Sequence, residues 1–353
     1  MSESFQTLTP ERVLDAVERL GQRCTGRFLV LNSYENRVYQ IELEPQGEDL
    51  RGEVVVAKFY RPGRWSKAAL EAEHAFLDEL AADEVPAVCP LPLSASPPGG
   101  AGGAGGAGGA GGAGEGRTLG STLGETDGLY FALFPKVLGR APEEPDDALL
   151  RRLGRLLARL HTVGARRPAP DRLVLTPETY GRKNLADLVE NNHLPPEVQA
   201  QYISSVEALL SRIEPLFIDV PLHRIHGDCH AGNLLHDRHG DKDAIHLLDF
   251  DDFLTGPAVQ DIFMLVPSAD AEGRRQREVL LSGYTELRDF DPAWLRLVEP
   301  LRALRYIHYS AWIARRMTDP FFQRTFPQFG SLVYWQHQVT DLREQCARID
   351  DAA

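Results

Sequence analysis

The hydrophobic spacing of this chain changes near residue 135, and this change restricts the available folds more than any other feature. Before it, runs rich in β-branched and aromatic residues alternate with turn-forming segments, as strands do. They are 27–32, 37–43, 53–60 and 129–135. After it, leucines recur at helical spacing from Leu149 to Leu160, and helices are predicted over 195–215, 273–288 and 293–317. A strand-rich part followed by a helix-rich part predicts an α+β, two-lobed architecture.

Shorter elements complete this prediction. Residues 9–21 carry apolar side chains on one helical face, with Thr9 as the N-cap. Ser66 can cap a second helix that runs to about Leu80. A β-rich run at 245–250, "IHLLDF", interrupts the helical part of the chain.

A low-complexity Gly/Ala tract lies at 99–116. It lacks the proline of collagen-like repeats and has nothing to bury, so we predict a flexible surface insert over 97–118. Because the entropy of loop closure rises slowly with loop length, such an insert costs little stability. The predicted division is an N-terminal lobe over 1–136, which contains the insert, and a C-terminal lobe over 137–353.

Composition argues against several classes of function. The 353 residues carry a formal net charge of −13, whereas a large nucleic-acid footprint requires a basic face. No apolar run approaches the roughly 20 residues that cross a bilayer, and residues 1–21 do not resemble a signal peptide. The four cysteines form no CxxC pair, as expected for reduced intracellular thiols. We therefore expect a cytoplasmic monomer that binds neither nucleic acid nor membrane.

The segment "HGDCHAGN" at 226–233 concentrates polar side chains between apolar runs. Asp228 and Asn233 are five residues apart in an irregular, glycine-containing stretch, and Asp249 directly follows the apolar "IHLL". A carboxylate can orient a hydroxyl or accept its proton, and carboxylate and amide oxygens suit Mg²⁺. With a cation for the phosphates, these are the parts that phosphoryl transfer from ATP requires.

Two other interpretations of this segment compete. A transition-metal site is one, with candidate ligands His226, Cys229, His230, His236 and His239. Their spacings match no compact zinc pattern, and Asp- and Asn-bearing loops favour hard cations. A polar turn without chemistry is the other, since Asp and Asn favour turns. The phosphotransferase centre is the preferred interpretation.

Lys58 lies in the predicted strand "VVVAKFY". Strict alternation places it on the same face as Val54 and Val56, and a lysine on an apolar face needs a partner. A phosphate-binding lysine paired with a glutamate of the next helix meets that need, with Glu73 as first choice and Glu71 as second. An exposed lysine on an edge strand is the alternative.

Two further segments contribute candidates. "LNSYENRVYQ" at 31–40 predicts a hairpin turn in which Ser33, Asn36 and backbone N–H groups could cover phosphates, although an ordinary hairpin is the simpler interpretation. Asp261, in "GPAVQDIFML", opens an apolar helix as a cap, or bonds the backbone of the 226–233 loop. We expect its role to be structural.

Together these motifs resemble known enzymes. "HGDxxxxN" followed by an apolar pair and "DFDD" resembles the catalytic segment of aminoglycoside phosphotransferase- and choline kinase-like enzymes, which have a protein-kinase-like fold. Longer blocks resemble the bacterial stress response kinase A family, also called RdoA-type kinases. They include "LNSYENRVYQIE", "VAKFYRPGRWS", "GPAVQDIFML" and "EPLRALRYIHYSAWIARRMTDP", and span about 5–335.

The resemblance implies an ATP- and Mg²⁺-dependent protein kinase that acts on Ser and Thr of protein substrates in the stress response. By motif, Asp228 would be the proton acceptor, and Asn233 and Asp249 the Mg²⁺ ligands, with Asp249 essential for catalysis. Ser33 would lie at the ATP site, and Lys58 would contact the phosphates. The N-terminal lobe would bind nucleotide, and the C-terminal lobe would carry the acceptor site.

Two alternatives remain open at this point. A small-molecule kinase, acting on an amino alcohol, homoserine or an aminoglycoside, would use the same centre. A pseudokinase would bind nucleotide without transferring phosphate. An acidic, closed acceptor pocket would suit a cationic small molecule, whereas an open groove would suit a polypeptide.

The chain also departs from the family pattern. "HDRHGDKDAIH" lengthens the connection between Asn233 and Asp249, which makes their relative placement harder to predict. Six residues separate Asp249 from Gly256, which leaves no room for a long activation segment. Regulation by ordering such a segment is therefore not expected.

Overall fold

The computed structural model describes Phe5 and residues 8–21, 23–45, 53–93, 122–238 and 243–352. The insert predicted over 97–118 lies outside these residues. The chain forms two compact units. Unit 1 comprises Met1–Pro142 and Gly232–Asp251, and unit 2 comprises Glu143–Ala231 and Asp252–Ala353.

Unit 1 contains a five-stranded antiparallel sheet in the order β1-β2-β3-β5-β4. Its strands are β1 (Cys24–Leu31), β2 (Arg37–Leu43), β3 (Val54–Phe59), β4 (Gly124–Thr126) and β5 (Leu129–Pro135). Alternate residues of β3, such as Val55 and Phe59, pack with Val13 and Val17 of helix α1 (Pro10–Val17) in one apolar cluster. The intervening residues of β3 face the other side of the sheet.

Two predicted caps begin the helices of unit 1. The Thr9 side chain accepts a hydrogen bond from the backbone N–H of Arg12, and a short 3₁₀ turn, Glu18–Leu20, follows α1. The Ser66 hydroxyl accepts from the N–H of Ala69 at the start of α2 (Lys67–Ala82). Both predictions are confirmed, because each side chain satisfies a donor that the first helical turn leaves open.

A second antiparallel hairpin belongs to unit 1, although it comes much later in the sequence. It pairs β7 (Leu234–Asp237) with β8 (Ala244–Leu247). The N–H of Val88 donates to the carbonyl of Leu247 at 3.0 Å, and the N–H of Leu247 donates to the carbonyl of Pro86 at 2.8 Å. These bonds tie residues 232–251 to unit 1. The prediction placed the same residues in the C-terminal lobe, 137–353.

Unit 2 is mainly helical. Its helices are α3 (Asp147–Gly164), α4 (Lys183–Glu190), α5 (Pro196–Ile213), α6 (Val259–Leu265), α7 (Ala271–Tyr284), α8 (Val298–Ala314), α9 (Pro320–Thr325) and α10 (Leu332–Ala352). Two short antiparallel strands, β6 (His223–Ile225) and β9 (Leu254–Gly256), complete it.

Glycines allow α3 and α7 to pack backbone against backbone. A Cβ atom on Gly154 of α3 would lie 2.0 Å from the carbonyl oxygen of Leu280, and one on Gly283 of α7 would lie 2.1 Å from that of Arg151. Any side chain at either position would therefore force the two helices apart.

The predicted α+β fold, an antiparallel sheet followed by a mainly helical part, is confirmed. Element ends differ: β1 begins at Cys24, and the helix predicted over 293–317 is a 3₁₀ turn up to Leu297 followed by α8. The prediction missed β4, β7, α4, α9, α10 and the β6–β9 pair. All four cysteines are free. None of the helices in the described ranges has the length and apolar character that crossing a membrane demands.

Candidate active site

Lys58 on β3 lies at the centre of a charged cluster in unit 1. Its side chain is only 8% exposed, and its Nζ lies 2.8 Å from Oδ1 of Asp249, 3.5 Å from Oε1 of Glu73 and 3.7 Å from Oδ1 of Asp251. Burial alone would lower the pKa of this ammonium, but Asp249, Asp251 and Glu73 outweigh it and hold the pKa well above its usual value. Lys58 is therefore a permanent buried cation with anionic partners, as a buried charge requires.

Glu73 rather than Glu71 is the partner of Lys58 on α2. Glu73 is buried, whereas Glu71 is displaced around the helix and pairs with Lys67 at 3.6 Å. Residues two apart on a helix cannot face the same way, so only one of them can reach the sheet. Glu73, the first choice from the sequence, is therefore the glutamate in contact with Lys58.

Asn233 and Asp249 flank the β7–β8 hairpin. Asn233 directly precedes β7, Asp249 follows β8 after one residue, and the register pairs Leu234 with Leu247. The N–H of Leu248 donates to the backbone carbonyl of Asn233 at 2.9 Å. Antiparallel pairing therefore brings both residues to the same end of the hairpin, despite the lengthened connection between them. Asp249 adopts φ +55°, a left-handed conformation that a short polar side chain tolerates.

Asp251 is a member of the cluster that the sequence interpretation did not assign. Its carboxylate is buried and accepts hydrogen bonds from Nδ2 of Asn36 at 3.1 Å and from Nη1 of Arg64 at 2.5 Å. It thus joins the β1–β2 turn, the β3–α2 connection and the segment after β8. The second acidic residue of "DFDD" and the arginines of "YRPGR" were the available signals.

The turn at 33–36 is held by polar contacts instead of glycines. Oγ of Ser33 accepts the N–H of Asn36 at 3.2 Å, and Oδ1 of Asn36 accepts the N–H of Arg61 at 3.1 Å. The Arg61 guanidinium reaches Oε1 of Glu35 at 2.8 Å. An accepting hydroxyl keeps its own O–H as a donor, so Ser33 can still donate outward from the turn.

The loop that begins at His226 is anchored in unit 2 by Asp261 of α6. The two carboxylate oxygens of Asp261 accept the N–H groups of His226 and Gly227, each at 2.8 Å, and one of them contacts Nε2 of His161 at 3.1 Å. Burial raises the pKa of Asp261, but the contact with His161 outweighs it and the net shift is downward. Of the two sequence interpretations of Asp261, the geometry matches the bond to the loop backbone, since no side chain caps α6.

Gly227 meets two local requirements of this loop. Its φ is +82°, and a Cβ atom there would lie 2.4 Å from the carbonyl oxygen of Asp252. Its own carbonyl accepts from Nε2 of Gln260 at 3.0 Å. The glycine of "HGD" is therefore needed for both conformation and close packing.

Asp228 follows this anchor, with its side chain 25% exposed. Its carboxylate lies 3.1 Å from Nη2 of Arg305 on α8 and 3.4 Å from Nε2 of His230. Burial raises the pKa of Asp228, but the hydrogen bond from His230 and the charge of Arg305 outweigh it, so the net shift is downward. The side chain is consequently an anion at neutral pH, able to accept a hydrogen bond but not to donate one.

The predicted residues are thus divided between the units. Lys58, Glu73 and Asp249 are in contact in unit 1, and Asn233 lies at the same hairpin end as Asp249. Ser33 lies in the β1–β2 turn of that unit. Asp228 belongs to unit 2.

The oxygen donors of unit 1 fit a hard cation. Asp249 offers a half-exposed carboxylate and Asn233 an amide at one hairpin end. Mg²⁺ is commonly held by one or two such protein groups together with waters and substrate phosphates. Of the histidines considered for a transition-metal site, His236 instead contacts Asp243 at 2.5 Å, and His239 lies outside the described residues.

Comparison with known proteins identifies the family of this chain. Residues 28–298 match the model of the family described as "Phosphotransferase enzyme family". The chain is 37% identical to stress response kinase A of Salmonella choleraesuis (strain SC-B67) over 343 residues, 97% of this chain and 94% of that protein. Identity and coverage are the same for a protein of Salmonella typhimurium (strain LT2) named serine/threonine protein kinase RdoA.

A solved structure supports the fold. The amicoumacin kinase hAmiN, in complex with AMP-PNP, Ca²⁺ and Ami, aligns over 99% of this chain and 96% of its own, with a TM-score of 0.69 and 19% identity. Its own residues and these relatives show that the chain belongs to the phosphotransferase enzyme family, within the stress response kinase A group.

Proposed function

We propose that the protein is a monomeric serine/threonine protein kinase that uses ATP and Mg²⁺ in the bacterial stress response. The observation that carries the proposal is buried Lys58 in contact with Asp249 at 2.8 Å and Glu73 at 3.5 Å. This is the arrangement by which a kinase holds a cation for the phosphates beside a carboxylate for the metal. The Ser/Thr specificity follows the name of the Salmonella typhimurium relative, serine/threonine protein kinase RdoA.

Each residue has a defined task in this mechanism. Lys58 contacts phosphate oxygens and is held in place by Glu73. Asn233 and Asp249 would hold Mg²⁺, which neutralises charge on the phosphates when bound. Ser33, in the turn at 33–36, donates a hydrogen bond from its hydroxyl to the bound ATP.

Asp228 acts on the acceptor hydroxyl. A bond forms between the γ-phosphorus and the hydroxyl oxygen, the bond from this phosphorus to the oxygen that bridges to the β-phosphate breaks, and ADP leaves. The hydroxyl proton passes to Asp228. Since the pKa of Asp228 is lowered, the carboxylate orients the hydroxyl first and takes the proton only as the new bond forms.

A small-molecule kinase with the same centre is the alternative function. Cationic acceptors, such as amino alcohols and aminoglycosides, fit it less well, because the Arg305 guanidinium lies 3.1 Å from Asp228. A cation at the acceptor position would be repelled by this arginine. A pseudokinase is disfavoured because Lys58, Asp228, Asn233 and Asp249 are all present.

Transfer of labelled γ-phosphate from ATP and Mg²⁺ by the purified protein tests the proposal. Casein and myelin basic protein are offered beside a panel of small alcohols and aminoglycosides. We expect label on protein seryl or threonyl groups, and a loss of about 100-fold or more with Asp228→Ala, the scale of acid–base catalysis. Asp249→Ala should abolish transfer as well.

The control is Glu71→Gln, which removes a carboxylate of α2 that pairs with exposed Lys67 and should leave transfer unchanged. Label on a small molecule alone would establish the alternative. Full activity of Asp228→Ala, with its fold confirmed by circular dichroism, would exclude the mechanism.

A further inference from the structure

Arg305 presents a cation directly at the residue that receives the acceptor. One of its nitrogens, Nη2, contacts Asp228 at 3.1 Å, and its side chain is 37% exposed. A guanidinium carries five N–H donors in a planar fork, so this single contact leaves donors directed elsewhere. Arg305 can therefore bind Asp228 and an anionic group of the acceptor together.

An aromatic surface continues from Arg305 along α8. Residues 305, 309 and 312 are spaced four and three apart, so their side chains follow one face of the helix. Tyr309 is 44% exposed and stacks on Trp312, with ring centroids 5.5 Å apart and planes at 11°. Phe326 meets both rings edge-on. We call Arg305, Tyr309 and Trp312 the α8 stripe.

An arginine lies at each end of the α8 stripe: Arg305 pairs with Asp228, and Arg316 is buried against Trp312. Beyond Trp312, the Arg316 guanidinium lies 4.8 Å from the centre of the Trp312 ring. The nearby acidic residues have other partners: Glu299 pairs with Arg302 at 3.1 Å, and Asp319 accepts the N–H of Phe321 at the start of α9. Residues 305–316 thus offer aromatic rings and the partly exposed Arg305, and include no carboxylate, although the chain as a whole has a net charge of −13.

We propose that the acceptor is a polypeptide segment with an acidic side chain beside the reacting Ser or Thr, which pairs with Arg305, and an apolar side chain that lies on Tyr309 and Trp312. This inference rests on the proposed function and names the substrate class of the same site. Flat aromatic rings beside an arginine favour a chain with both apolar and anionic groups. The α8 stripe has no carboxylate with which to select a cationic acceptor.

Three synthetic peptides test the inference. They share one serine and one leucine three residues away, and they differ only in the two residues that flank the serine, which are Glu, Gln or Lys. For the wild type we expect kcat/KM to be about fivefold higher for the Glu peptide than for the Gln peptide, the size that a partly exposed ion pair supplies. The Lys peptide should be the poorest acceptor.

Substitutions then connect the preference to the α8 stripe. Arg305→Gln should reduce the Glu-to-Gln ratio of kcat/KM to about one, and Arg305→Lys should retain most of it. Arg343→Gln is the matched control, since it removes the same charge from an exposed position on α10 and should leave the ratio unchanged. Tyr309→Ala should raise KM for all three peptides, whereas Tyr309→Phe should not. A ratio within one preparation does not depend on the fraction of folded enzyme.

The outcomes separate the two proposals. If the wild type labels neither the peptides nor casein, the proposed protein-kinase function fails. If it labels casein but shows no preference for Glu, labels none of the peptides, or keeps its preference in Arg305→Gln, the proposed function stands and the inference is overturned.

Discussion

Around Lys58, carboxylates outnumber cations. Each acidic side chain there contacts at least one basic side chain within 4 Å. The cations are Lys58, Arg61 and Arg64, and the anions are Glu35, Glu73, Asp249 and Asp251. The cluster therefore carries one negative charge in excess. Asp249, whose side chain is 50% exposed, is the most accessible of its four carboxylates. A divalent cation at Asp249 would reverse this imbalance before the phosphates arrive.

Buried His74, which follows Glu73 on α2, predicts a pH dependence of stability. Its Nε2 contacts the hydroxyl of Tyr60 at 3.0 Å and its Nδ1 contacts that of Thr122 at 2.8 Å. Burial, and then the charge of Lys58, lowers the pKa of His74 from 6.5 to about 3. Below pH 6.5 the unfolded chain therefore binds a proton at His74 that the folded chain does not bind. Stability is consequently lost as the pH falls from 6.5 towards 3.

The prediction is measured by urea unfolding at pH 7 and pH 5. The free energy of unfolding of the wild type should fall between these values by about 2 kcal/mol more than that of His74→Gln. The control His337→Gln, at an exposed position of α10, should behave as the wild type does. Equal pH dependence of wild type and His74→Gln would show that His74 is protonated in the folded protein.

At the scale of residues, the sequence identified side chains with a strong local reason to be polar. Lys58 is identifiable because alternation places it among apolar residues of β3. Glu73 and Glu71 both remain candidates for its partner, since helical geometry only says that they cannot both face it. Asp251 was missed because its partners, Asn36 and Arg64, are separated from it by 215 and 187 residues. Only the folded chain brings them together.

Helices α3 and α7 pack closely, and a single methyl group between them should be costly. Gly154→Ala would place a Cβ atom 2.0 Å from a backbone oxygen of α7, which cannot move as a side chain can. Overpacking costs up to about 3 kcal/mol, and a 2.0 Å approach to a backbone atom belongs at that upper end. Alanine adds about 1 kcal/mol of helix propensity, so we expect a net loss of about 2 kcal/mol. Denaturant unfolding measures it.

The matched control is Ser282→Ala, an exposed substitution on α7 beside Gly283. It should change the free energy of unfolding by less than about 0.5 kcal/mol. If Gly154→Ala unfolds at the same denaturant concentration as the wild type, the two helices are not held at the distance described.

Elements with strong periodicity were predictable, and short ones were not. The predicted bounds 37–43 and 129–135 coincide with β2 and β5. Strands β6 and β9 have three residues each, too few to show a period. They pair with each other, and Thr255 of β9 also bonds to the backbone of Leu173 and Leu175. The helix predicted from 293 begins as a 3₁₀ turn with Pro292 in its first turn, and only α8 continues it as an α-helix.

For the whole molecule, the assignment of the candidate residues to separate units predicts that binding and transfer are separable. Lys58 and Asp249 belong to unit 1 and Asp228 to unit 2. In the proposed mechanism the first two contact nucleotide or metal, and the third contacts only the acceptor. Asp228→Ala should therefore bind a fluorescent ATP analogue with Mg²⁺ within about threefold of the wild-type Kd, while it loses transfer.

Lys58→Met and Asp249→Ala provide the comparison. Each removes a charge that would act on the phosphates or on the metal, so each should weaken binding of the analogue by about tenfold or more, a loss typical for a charge-assisted contact. Tight binding by Lys58→Met would argue that the lysine serves only the folded structure.

The fold class followed from the order of strand and helix patterns, and the resemblance of long blocks gave the family. The position of 232–251 did not follow, because it depends on backbone bonds between Leu247 and 86–88 that have no signature in the sequence. A division by sequence order is natural for local patterns but cannot detect a segment that returns to an earlier unit.

The short connection after Asp249 has a consequence for whether the protein can hold a lasting switched state. A 3₁₀ turn, Phe250–Asp252, and the single residue Phe253 are all that lie between Asp249 and β9. A segment of this length is too short to switch between an ordered and a disordered loop, each of which would persist after the signal that produced it had ended. If the protein is the proposed kinase, this connection therefore stores no record of an earlier signal, and its activity would follow the amounts of enzyme, nucleotide and acceptor present.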